Sequence, residues 1–399
     1  MPRPIVSVLI AGLLVGLCGC PGGGQVTDEP PPPPDFDALA PDDAPGDATI
    51  LRIAWVAPDG DLVLLDPDSG VTSVASGGIA WMDHEPAWSA SGSAVAFIAE
   101  GEGLIVADLD TGTRRALGQV DADFPRAIAI SPDGANVAWV RDGLLRIWRE
   151  GATLTVEGPE RCTTPSWSPD STRVAVGSMG DDESVDGGLW LVDEDLGARL
   201  LVPPVEDEWG ATQSIAWSPD GEWLAWARGA GDGWSGDLAR SDGSDLRRDA
   251  IGAGPLAWFP DSSAILMSVQ IEAGAFAAGI YRHADGSTQM IGPDAWDSMA
   301  VLSPDGRHVL AWGYDGRALL HDVAAGDASS WADRVTTRWA AWSPDGRIAA
   351  IVDDARGGMN VLVGDPGGAG ETVARVETEA PWTLRWIELP ADAACCVEP

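Results

Sequence analysis

One short phrase, Ala-Trp-Ser-Pro-Asp-Gly in its fullest form, recurs along the chain at spacings of 37 to 50 residues. Its seven copies begin at Ala87, Ala129, Ser166, Ala216, Ala257, Val301 and Ala341. Ser-Pro-Asp-Gly favours a tight turn, because proline presets φ, aspartate bonds its own backbone and glycine accepts a positive φ. Short apolar runs suited to strands stand on either side of each copy. A period of about forty residues with this content predicts an all-β chain, a β-propeller built of four-stranded blades.

A second turn signal completes the repeating unit. Asp-x-Asp-x-Gly follows a third apolar run, and it begins at Asp66, Asp108 and Asp193 in three of the units. A fourth short run comes after it, as in Arg-Arg-Ala-Leu-Gly from Arg114. Four strands and three turns therefore account for the length of each unit.

The two ends of the repeat region determine the number of blades. The segment from Ile50 matches the second, third and fourth strands of a unit but lacks the first. The segment from Pro381 resembles a first strand with no followers. Together they would form one composite blade, which closes the ring and removes the exposed sheet edges that invite aggregation. Seven internal units and this blade predict eight blades, and seven blades is the alternative if one irregular unit is degenerate.

Tryptophan recurs beside the phrase. Five tryptophans directly precede its serine or phenylalanine: Trp88, Trp167, Trp217, Trp258 and Trp342. Each ring offers a large flat apolar surface. We therefore expect these side chains to pack blade against blade.

The repeats resemble the TolB-like propeller family, whose repeats carry the Trp-Ser-Pro-Asp-Gly phrase. The resemblance extends from Ile50 to Pro390 and implies a closed propeller. TolB itself also has an α/β domain ahead of its propeller, whereas here a segment rich in Gly, Pro and Asp occupies that place. The chain therefore resembles the family and not TolB itself.

The first residues resemble a bacterial lipoprotein signal. A basic start at Arg3 precedes an apolar run from Ile5 to Leu17, which has the length of a signal-peptide core and not of a membrane span. Leu17-Cys18-Gly19-Cys20 resembles the lipobox, in which the last cysteine is joined to diacylglycerol and the peptide is cut just before it. We therefore expect residues 1–19 to be a signal peptide and Cys20 to carry a lipid anchor. An ordinary signal peptide with incidental cysteines is the alternative.

The segment after Cys20 is expected to be a tether. Gly, Pro and Asp dominate residues 20–49, so little there can be buried. Pro21 implies, by resemblance to lipoprotein sorting, attachment to the outer membrane, on its periplasmic side or at the surface. We place the propeller at residues 50–390 and a C-terminal tail at residues 391–399.

The charge balance limits the kinds of partner. The chain has 62 acidic and 24 basic residues, a net charge of -38, which repels nucleic acid and favours cationic partners. Three further cysteines, Cys162, Cys395 and Cys396, leave a spare thiol or an intermolecular bridge. With no Cys-x-x-Cys and four scattered histidines, we expect no zinc site and no cofactor. We expect a monomer.

Candidate binding residues lie on the face opposite the short turns. The connections from second to third strand and from fourth to first strand are long and variable, and binding residues concentrate in such loops. The candidate ligand-binding residues are Trp81, Asp83, His84, Glu85, Asp207, Trp209, Trp234, Asp294, Trp296, Asp297, Trp331 and Asp333. Aromatic rings edged with hydrogen-bond acceptors suit a basic peptide, a sugar face or an organic cation. Alternatively, these loops are merely solvated and their tryptophans cap the blades.

These features predict a lipid-anchored, non-catalytic propeller that acts as a protein- or glycan-binding scaffold at the bacterial cell envelope. The alternative is an assembly or quality-control factor for outer-membrane proteins. A second alternative is a propeller hydrolase or lyase, but Gly-x-Ser-x-Gly is missing, and Tyr281 and Tyr314 fall in or next to predicted strands. His84 beside Glu85 is the only histidine–carboxylate pair in a candidate loop, and we assign no catalytic residue.

Overall fold

The computed structural model describes most of the chain after residue 48. The described ranges are 49–57, 60–76, 79, 86–99, 102–119, 128–179, 188–204, 212–230, 233–272, 275–291, 299–313, 316–331, 336–354, 356–368, 370–376, 383–390 and 393. Every helix or strand found there is a β-strand, and the strands form eight antiparallel sheets, the blades of a propeller. The predicted all-β, eight-bladed β-propeller is therefore confirmed, and the seven-blade alternative is wrong. In these ranges no helix is long and apolar enough to cross a membrane.

The strands follow one another blade by blade along the chain. Blade 1 begins with β1 (Thr49–Val56), β2 (Leu62–Leu65) and β3 (Thr72–Ser76). Blade 2 consists of β4 (Ala87–Trp88), β5 (Ala94–Ala99), β6 (Gly103–Asp108) and β7 (Thr113–Gly118). Blade 3 consists of β8 (Ile128–Ile130), β9 (Val137–Arg141), β10 (Leu144–Arg149) and β11 (Ala152–Thr155). Blade 4 consists of β12 (Cys162–Trp167), β13 (Val174–Ser178), β14 (Gly188–Val192) and β15 (Ala198–Val202).

The second half of the ring continues in the same order. Blade 5 contains β16 (Thr212–Trp217), β17 (Trp223–Ala230) and β18 (Gly233–Arg240). Blade 6 consists of β19 (Gly254–Trp258), β20 (Ala264–Glu272), β21 (Ala275–Arg282) and β22 (Ser287–Ile291). Blade 7 consists of β23 (Met299–Leu302), β24 (His308–Trp312), β25 (Ala318–Asp322) and β26 (Ala328–Trp331). Blade 8 consists of β27 (Thr336–Trp342), β28 (Ile348–Asp353), β29 (Met359–Gly364) and β30 (Glu371–Val376), and β31 (Arg385–Pro390) follows it.

The last strand of the chain completes the first blade. β31 pairs antiparallel with β1, with Thr49 opposite Pro390, so the order in this sheet is β3-β2-β1-β31. The first strands of successive blades contact each other from β4 through to β31, which places them nearest the centre of the ring. The backbone amide of Glu388 in β31 donates to the carbonyl of Ser91 in blade 2 across 2.8 Å. The predicted composite blade is therefore confirmed.

The hydrophobic core lies between the blades. Buried apolar side chains form eight clusters, and each cluster joins the facing sides of two neighbouring blades. Between blades 1 and 2, for example, Ile387 and Phe97 are fully buried in one cluster. The predicted blade-to-blade packing of tryptophan is confirmed, since three of the five rings are buried and two are partly buried against the core: Trp167, Trp217, Trp258, Trp88 and Trp342.

The recurring phrase is a structural clamp. In blade 5 the fully buried Ser218 donates its Oγ hydrogen to Asp220 Oδ1 across 2.5 Å and accepts from the backbone N–H of Trp223 across 2.9 Å. The preceding Trp217 donates its Nε1 hydrogen to the carbonyl of Ser166 in blade 4 across 3.1 Å. The same contact between neighbouring blades spans 3.1 to 3.3 Å from Trp167 to Ala129, Trp258 to Ala216, Trp342 to Val301 and Trp386 to Ala341.

Blade 5 departs from the predicted four strands. Its sheet holds three, and residues 241–252 run along the outer edge of β18 in place of a fourth strand. An isolated bridge joins Leu238 to Arg247, and the backbone groups of Gly236 bond those of Ile251 and Gly252. We call residues 241–252 the outer segment of blade 5.

Candidate functional site

The sequence predicts the candidate residues on the long-loop face, the face that carries the second-to-third and fourth-to-first strand connections. Most of them lie outside the described residues: Trp81, Asp83, His84, Glu85, Asp207, Trp209, Asp294, Trp296, Asp297 and Asp333. Cys20, residues 21–48 of the tether, Cys395 and Cys396 also lie outside them, whereas Thr49, predicted as the last tether residue, begins β1. Trp234 and Trp331 are the two candidates that the structure describes, and it places them in different surroundings.

Trp331 is a core residue. It ends β26 and is 1% exposed, among side chains that include Leu320 and Leu362 between blades 7 and 8. Its Nε1 donates to the carbonyl of Asp365 across 3.3 Å. A ring with its edge and faces occupied in this way stabilises the contact between blades and offers no surface to a ligand. Trp331 therefore belongs to the packing and not to the binding surface.

Trp234 is exposed, and it lies in a strand and not in a loop. Trp234 is predicted to lie in a long second-to-third strand connection, but β17 and β18 take up eight residues each, so only residues 231 and 232 link them. Blade 6 has a similar pair in β20 and β21, with nine and eight residues. The second and third strands of blades 2, 3, 4, 7 and 8 have five or six residues. These two extended hairpins therefore reach about 7 Å further on the long-loop face.

The extended hairpins expose two large apolar side chains near their ends. Trp234 is 39% exposed and pairs with Gly229, on the side of blade 5 that packs against blade 6. Ile271 is 44% exposed and lies at a bulge of β20, between the pairs Gln270–Phe276 and Glu272–Ala275. A side-chain carbon on Gly233 would lie 3.5 Å from Oε1 of Gln270, so the hairpins also meet near their ends.

A buried carboxylate lies on the opposite side of the blade 5 hairpin. Asp237 is 0% exposed, and its Oδ2 accepts from Nε of Arg228 across 3.3 Å and from Nη1 of Arg248 across 2.7 Å. Its Oδ1 accepts from the backbone N–H of Asp249 across 3.0 Å. Two guanidinium groups and one amide therefore compensate a charge that burial alone would make very unfavourable.

This ion cluster connects three parts of the molecule. Arg248 comes from the outer segment of blade 5 and donates its Nη2 hydrogen to the carbonyl of Pro203 in blade 4 across 2.8 Å. Arg228 also donates to Asp249 across 2.9 Å, and Ser235 donates to the same carboxylate. The hairpin, the outer segment and blade 4 are thus held together. This cluster was not predicted from the sequence, where its signal was an aspartate in the third strand, beside Leu238 and Ala239.

A small pocket lies beside the cluster, between blades 4 and 5. Its lining includes Gly188, Pro203, Thr212, Arg228 and Arg248. Its volume of about 10 Å³ holds a single water molecule, whereas small-molecule sites are about 300 Å³ or larger. The pocket is therefore too small to be a substrate site.

Two further groups that could react with a substrate, the Cys162 thiol and the Tyr281 hydroxyl, belong to buried residues. Cys162 is fully buried, and burial raises the pKa of its thiol to about 11, so the thiolate nucleophile is scarce at neutral pH. Tyr281 is buried in β21, in agreement with its predicted strand position. Within the described part of the chain, no group of three or more His, Cys, Asp or Glu side chains is close enough together to hold a metal ion.

Comparison with known proteins identifies the fold and no family. No family model and no curated protein matches the chain. Dihydro-heme d1 dehydrogenase NirN in complex with DHE aligns with a TM-score of 0.56 and 15% identity over 84% of this chain and 74% of that one. A eukaryotic initiation factor aligns with a TM-score of 0.53 and 12% identity over 84% and 98%. Oligogalacturonate lyase in complex with manganese aligns with a TM-score of 0.50 and 16% identity over 79% and 96%.

These identities show a shared propeller fold and nothing about activity. TolB from Acinetobacter baumannii aligns with a TM-score of 0.36, which is too low to carry an argument. The resemblance to the TolB-like family therefore stays a prediction from the repeated phrase, and the fold that it implied is the part that the structure confirms.

Proposed function

We propose that this chain is a non-catalytic binding propeller, held at the bacterial cell envelope by a lipid on Cys20, which docks a protein partner on its long-loop face. The observation that carries the proposal is the pair of extended hairpins, which expose Trp234 and Ile271 above the blades. Aromatic anchors held on rigid strands are typical of surfaces that bind other proteins.

The charged groups on the described part of this face support a structural role. Asp237 is fully buried and bound by Arg228 and Arg248, so it is not available as an acid or a base to a substrate. The adjoining pocket has room for one water molecule. Both observations favour a surface that binds over a site that reacts.

The partner is expected to be cationic. A net charge of -38 attracts positive surfaces and repels anionic glycans and lipid headgroups. This favours a protein over an acidic polysaccharide as the partner. Steady release of product from oligogalacturonate by the purified chain would contradict the non-catalytic part of the proposal.

The lipid anchor has a direct test with a matched control. Cys20→Ala is expected to move the protein from the membrane fraction to the soluble fraction when the full chain is expressed in a bacterial envelope. Cys18→Ala, two residues earlier, is expected to leave the protein with the membrane. Equal partitioning of the two variants would contradict the anchor.

Docking on the long-loop face can be tested by photo-crosslinking in cells. Met299 is 42% exposed at the start of β23, on the long-loop face of blade 7, and Leu154 is 39% exposed on the outermost strand of blade 3. A benzophenone amino acid in place of Met299 is expected to form an adduct with an envelope protein. The same group in place of Leu154 is expected to form none. Adducts at neither position, or equally at both, would contradict the proposed function.

A further inference from the structure

We propose that the interface between blades 2 and 3 binds a small monovalent anion of the size of chloride, held by N–H groups of Trp139 and Arg146. The observation that carries this inference is that two buried donors, Trp139 Nε1 and Arg146 Nε, have no acceptor among the described residues. The site lies between the blades and not on the long-loop face. The inference therefore goes beyond the proposed function and does not depend on it.

Trp139 and Arg146 are neighbours on one face of blade 3. They lie opposite each other in the pairing of β9 with β10, and the Cβ atoms of such a pair are about 5 Å apart. Trp139 packs in the cluster between blades 2 and 3, so this face is the one turned toward blade 2. Thr155 lies opposite Arg146 in the pairing of β10 with β11 and continues the row outward.

The two donors are buried without a partner. Trp139 is 1% exposed, so solvent does not reach its Nε1 hydrogen. Arg146 donates its Nη1 hydrogen to Oγ1 of Thr155 across 2.9 Å, but its Nε finds no acceptor in the described part of the chain. A buried donor without an acceptor is unfavourable, and more so when the donor is charged. One occupant that accepts from both groups would remove both penalties.

The charges at this place favour an anion as that acceptor. Arg115 reaches from blade 2, with its guanidinium carbon 5.1 Å from the centre of the Trp148 ring in blade 3. Two guanidinium groups from opposite blades therefore border the same interface. Asp142, which lies 3.7 Å from Arg146, is 71% exposed and also lies 3.6 Å from Arg141, so water and a second arginine share its charge. Hydrogen bonds from charged donors to an anion are stronger than those to a neutral acceptor.

The surroundings limit the occupant to a small ion. The facing wall of blade 2 includes Ala96 and Leu104, which are fully buried and apolar. A phosphate or a sulfate would bring further oxygen atoms that this wall cannot satisfy, whereas a monatomic anion brings none. The Arg146 side chain is 25% exposed and Thr155 is exposed, so the ion can enter from the outer rim of the propeller.

The experiment titrates the purified full chain with sodium chloride and follows the chlorine NMR line width, because chloride that exchanges with a protein site broadens the resonance of the free ion. Trp139→Phe keeps an aromatic ring and removes one donor. Arg146→Met keeps an unbranched side chain and removes the charge. Each variant is expected to weaken chloride binding by about tenfold or more, because each removes one hydrogen bond to a charged partner.

Two substitutions are matched controls. Trp226 in blade 5 is also 1% exposed, and like Trp139 it follows the serine of its phrase by eight residues. Arg141 lies in the same blade as Arg146 but is 44% exposed. Trp226→Phe and Arg141→Met are both expected to leave chloride binding at the wild-type level. Circular dichroism in sodium gluconate, whose anion is too large for the site, shows that each variant is folded.

A second measurement separates an ion in this site from chloride held loosely at the surface. At equal sodium concentration, chloride in place of gluconate is expected to raise the unfolding temperature of the wild type more than that of Trp139→Phe, because only an anion bound to the folded site adds stability. The proposal is overturned if folded Trp139→Phe broadens the resonance as the wild type does, or if the two proteins gain equally from chloride. Absence of broadening in the wild type would also overturn it and would assign the two donors to a water molecule.

Discussion

The indole Nε1 of Trp386 donates a hydrogen bond to the backbone carbonyl of Ala341 across 3.3 Å, and this contact joins the last strand of the chain to blade 8. Four internal tryptophans make the same contact with the preceding blade, among them Trp217 with Ser166. Arg347 lies 5.0 Å above the Trp386 ring, as Arg173 lies 4.9 Å above Trp217. The composite blade therefore repeats the internal blade contacts, although its strands come from opposite ends of the ring.

Removing this ring is expected to weaken the closure of the propeller. Trp386 is 5% exposed, and Trp386→Ala leaves a cavity that costs about 3 to 5 kcal/mol of unfolding free energy. Trp386→Phe keeps much of the apolar volume, so the lost hydrogen bond and the smaller ring are expected to cost less. Urea unfolding followed by circular dichroism measures both.

Trp234→Ala is the control for this prediction, because the same residue type is exposed there. Its cost is expected to be clearly smaller than that of Trp386→Ala, because Trp234 is already 39% exposed. Deletion from residue 381 onward is expected to lower the unfolding temperature at least as far as Trp386→Ala does. If the deletion leaves thermal unfolding unchanged, β31 does not close the ring.

Ring closure could be predicted from the sequence because it depends on local patterns. The segment from Ile50 lacked a first strand and the segment from Pro381 supplied one, so each was incomplete alone. Strand periodicity and turn residues are local properties, and propeller blades contain little else. The number of blades was predicted from the same strand periodicity and turn residues.

The binding surface could not be predicted in the same way, because exposure depends on residues far away in sequence. Trp234 and Trp331 both lie near carboxylate residues in sequence segments that mix apolar and polar residues. Trp234 is exposed, whereas Trp331 is buried against Leu362 of the next blade. The partners of Asp237 are equally remote, since Arg248 belongs to the outer segment. Hydrophobic periodicity reports which strands form, and it does not report which neighbours cover them.

The buried serine of the phrase is expected to contribute more to stability than an exposed serine that bonds the aspartate of the phrase in another blade. Ser218→Ala leaves the backbone N–H of Trp223 without its buried acceptor, which costs about 1 to 3 kcal/mol. In blade 6, Phe259 takes the place of this serine, and the exposed Ser263 bonds Asp261 across 2.6 Å. Ser263→Ala is therefore the control, with a smaller expected effect. Equal urea midpoints for the two variants would refute the clamp role.

Ser218 is also expected to affect how the free energy of unfolding decreases as the pH falls into the acid range. Desolvation alone would raise the pKa of Asp220, but hydrogen bonds from Ser218, Glu222 and Ser262 outweigh it, and the net shift is downward. A lowered carboxylate pKa contributes stability above the unfolded-state value of 3.8, and this stability is lost as pH falls through the folded-state value. Ser218→Ala is expected to raise the pKa of Asp220, measured by NMR titration, while Ser263→Ala leaves it unchanged.

His321 is expected to make the protein less stable in mild acid. It is 9% exposed in β25, its Nε2 has no hydrogen-bond partner among the described residues, and burial lowers the pKa of its ring below the ordinary value of 6.5. The unfolded chain therefore takes up the proton first, so stability is full above pH 6.5 and falls as pH drops below it. In His321→Leu, the urea midpoint is expected to change less between pH 7.5 and pH 5.5 than in the wild type. His308→Gln, in the same blade, is expected to keep the wild-type dependence of the midpoint on pH. A wild-type slope in His321→Leu would refute this assignment.

The Asp237 cluster provides the sharpest test of what holds the binding surface in place. Asp237→Ala leaves Arg248 without its carboxylate partner and the buried Arg228 with Asp249 alone, which costs about 3 to 5 kcal/mol of unfolding free energy. The 67%-exposed Asp249 is the control, and Asp249→Ala is expected to cost clearly less. Hydrogen exchange is expected to quicken at the amide of Leu238, which bonds the outer segment through Arg247. If Asp237→Ala and Asp249→Ala have the same urea midpoint and the same hydrogen-exchange rate at Leu238, the Asp237 carboxylate does not hold the outer segment of blade 5 in place.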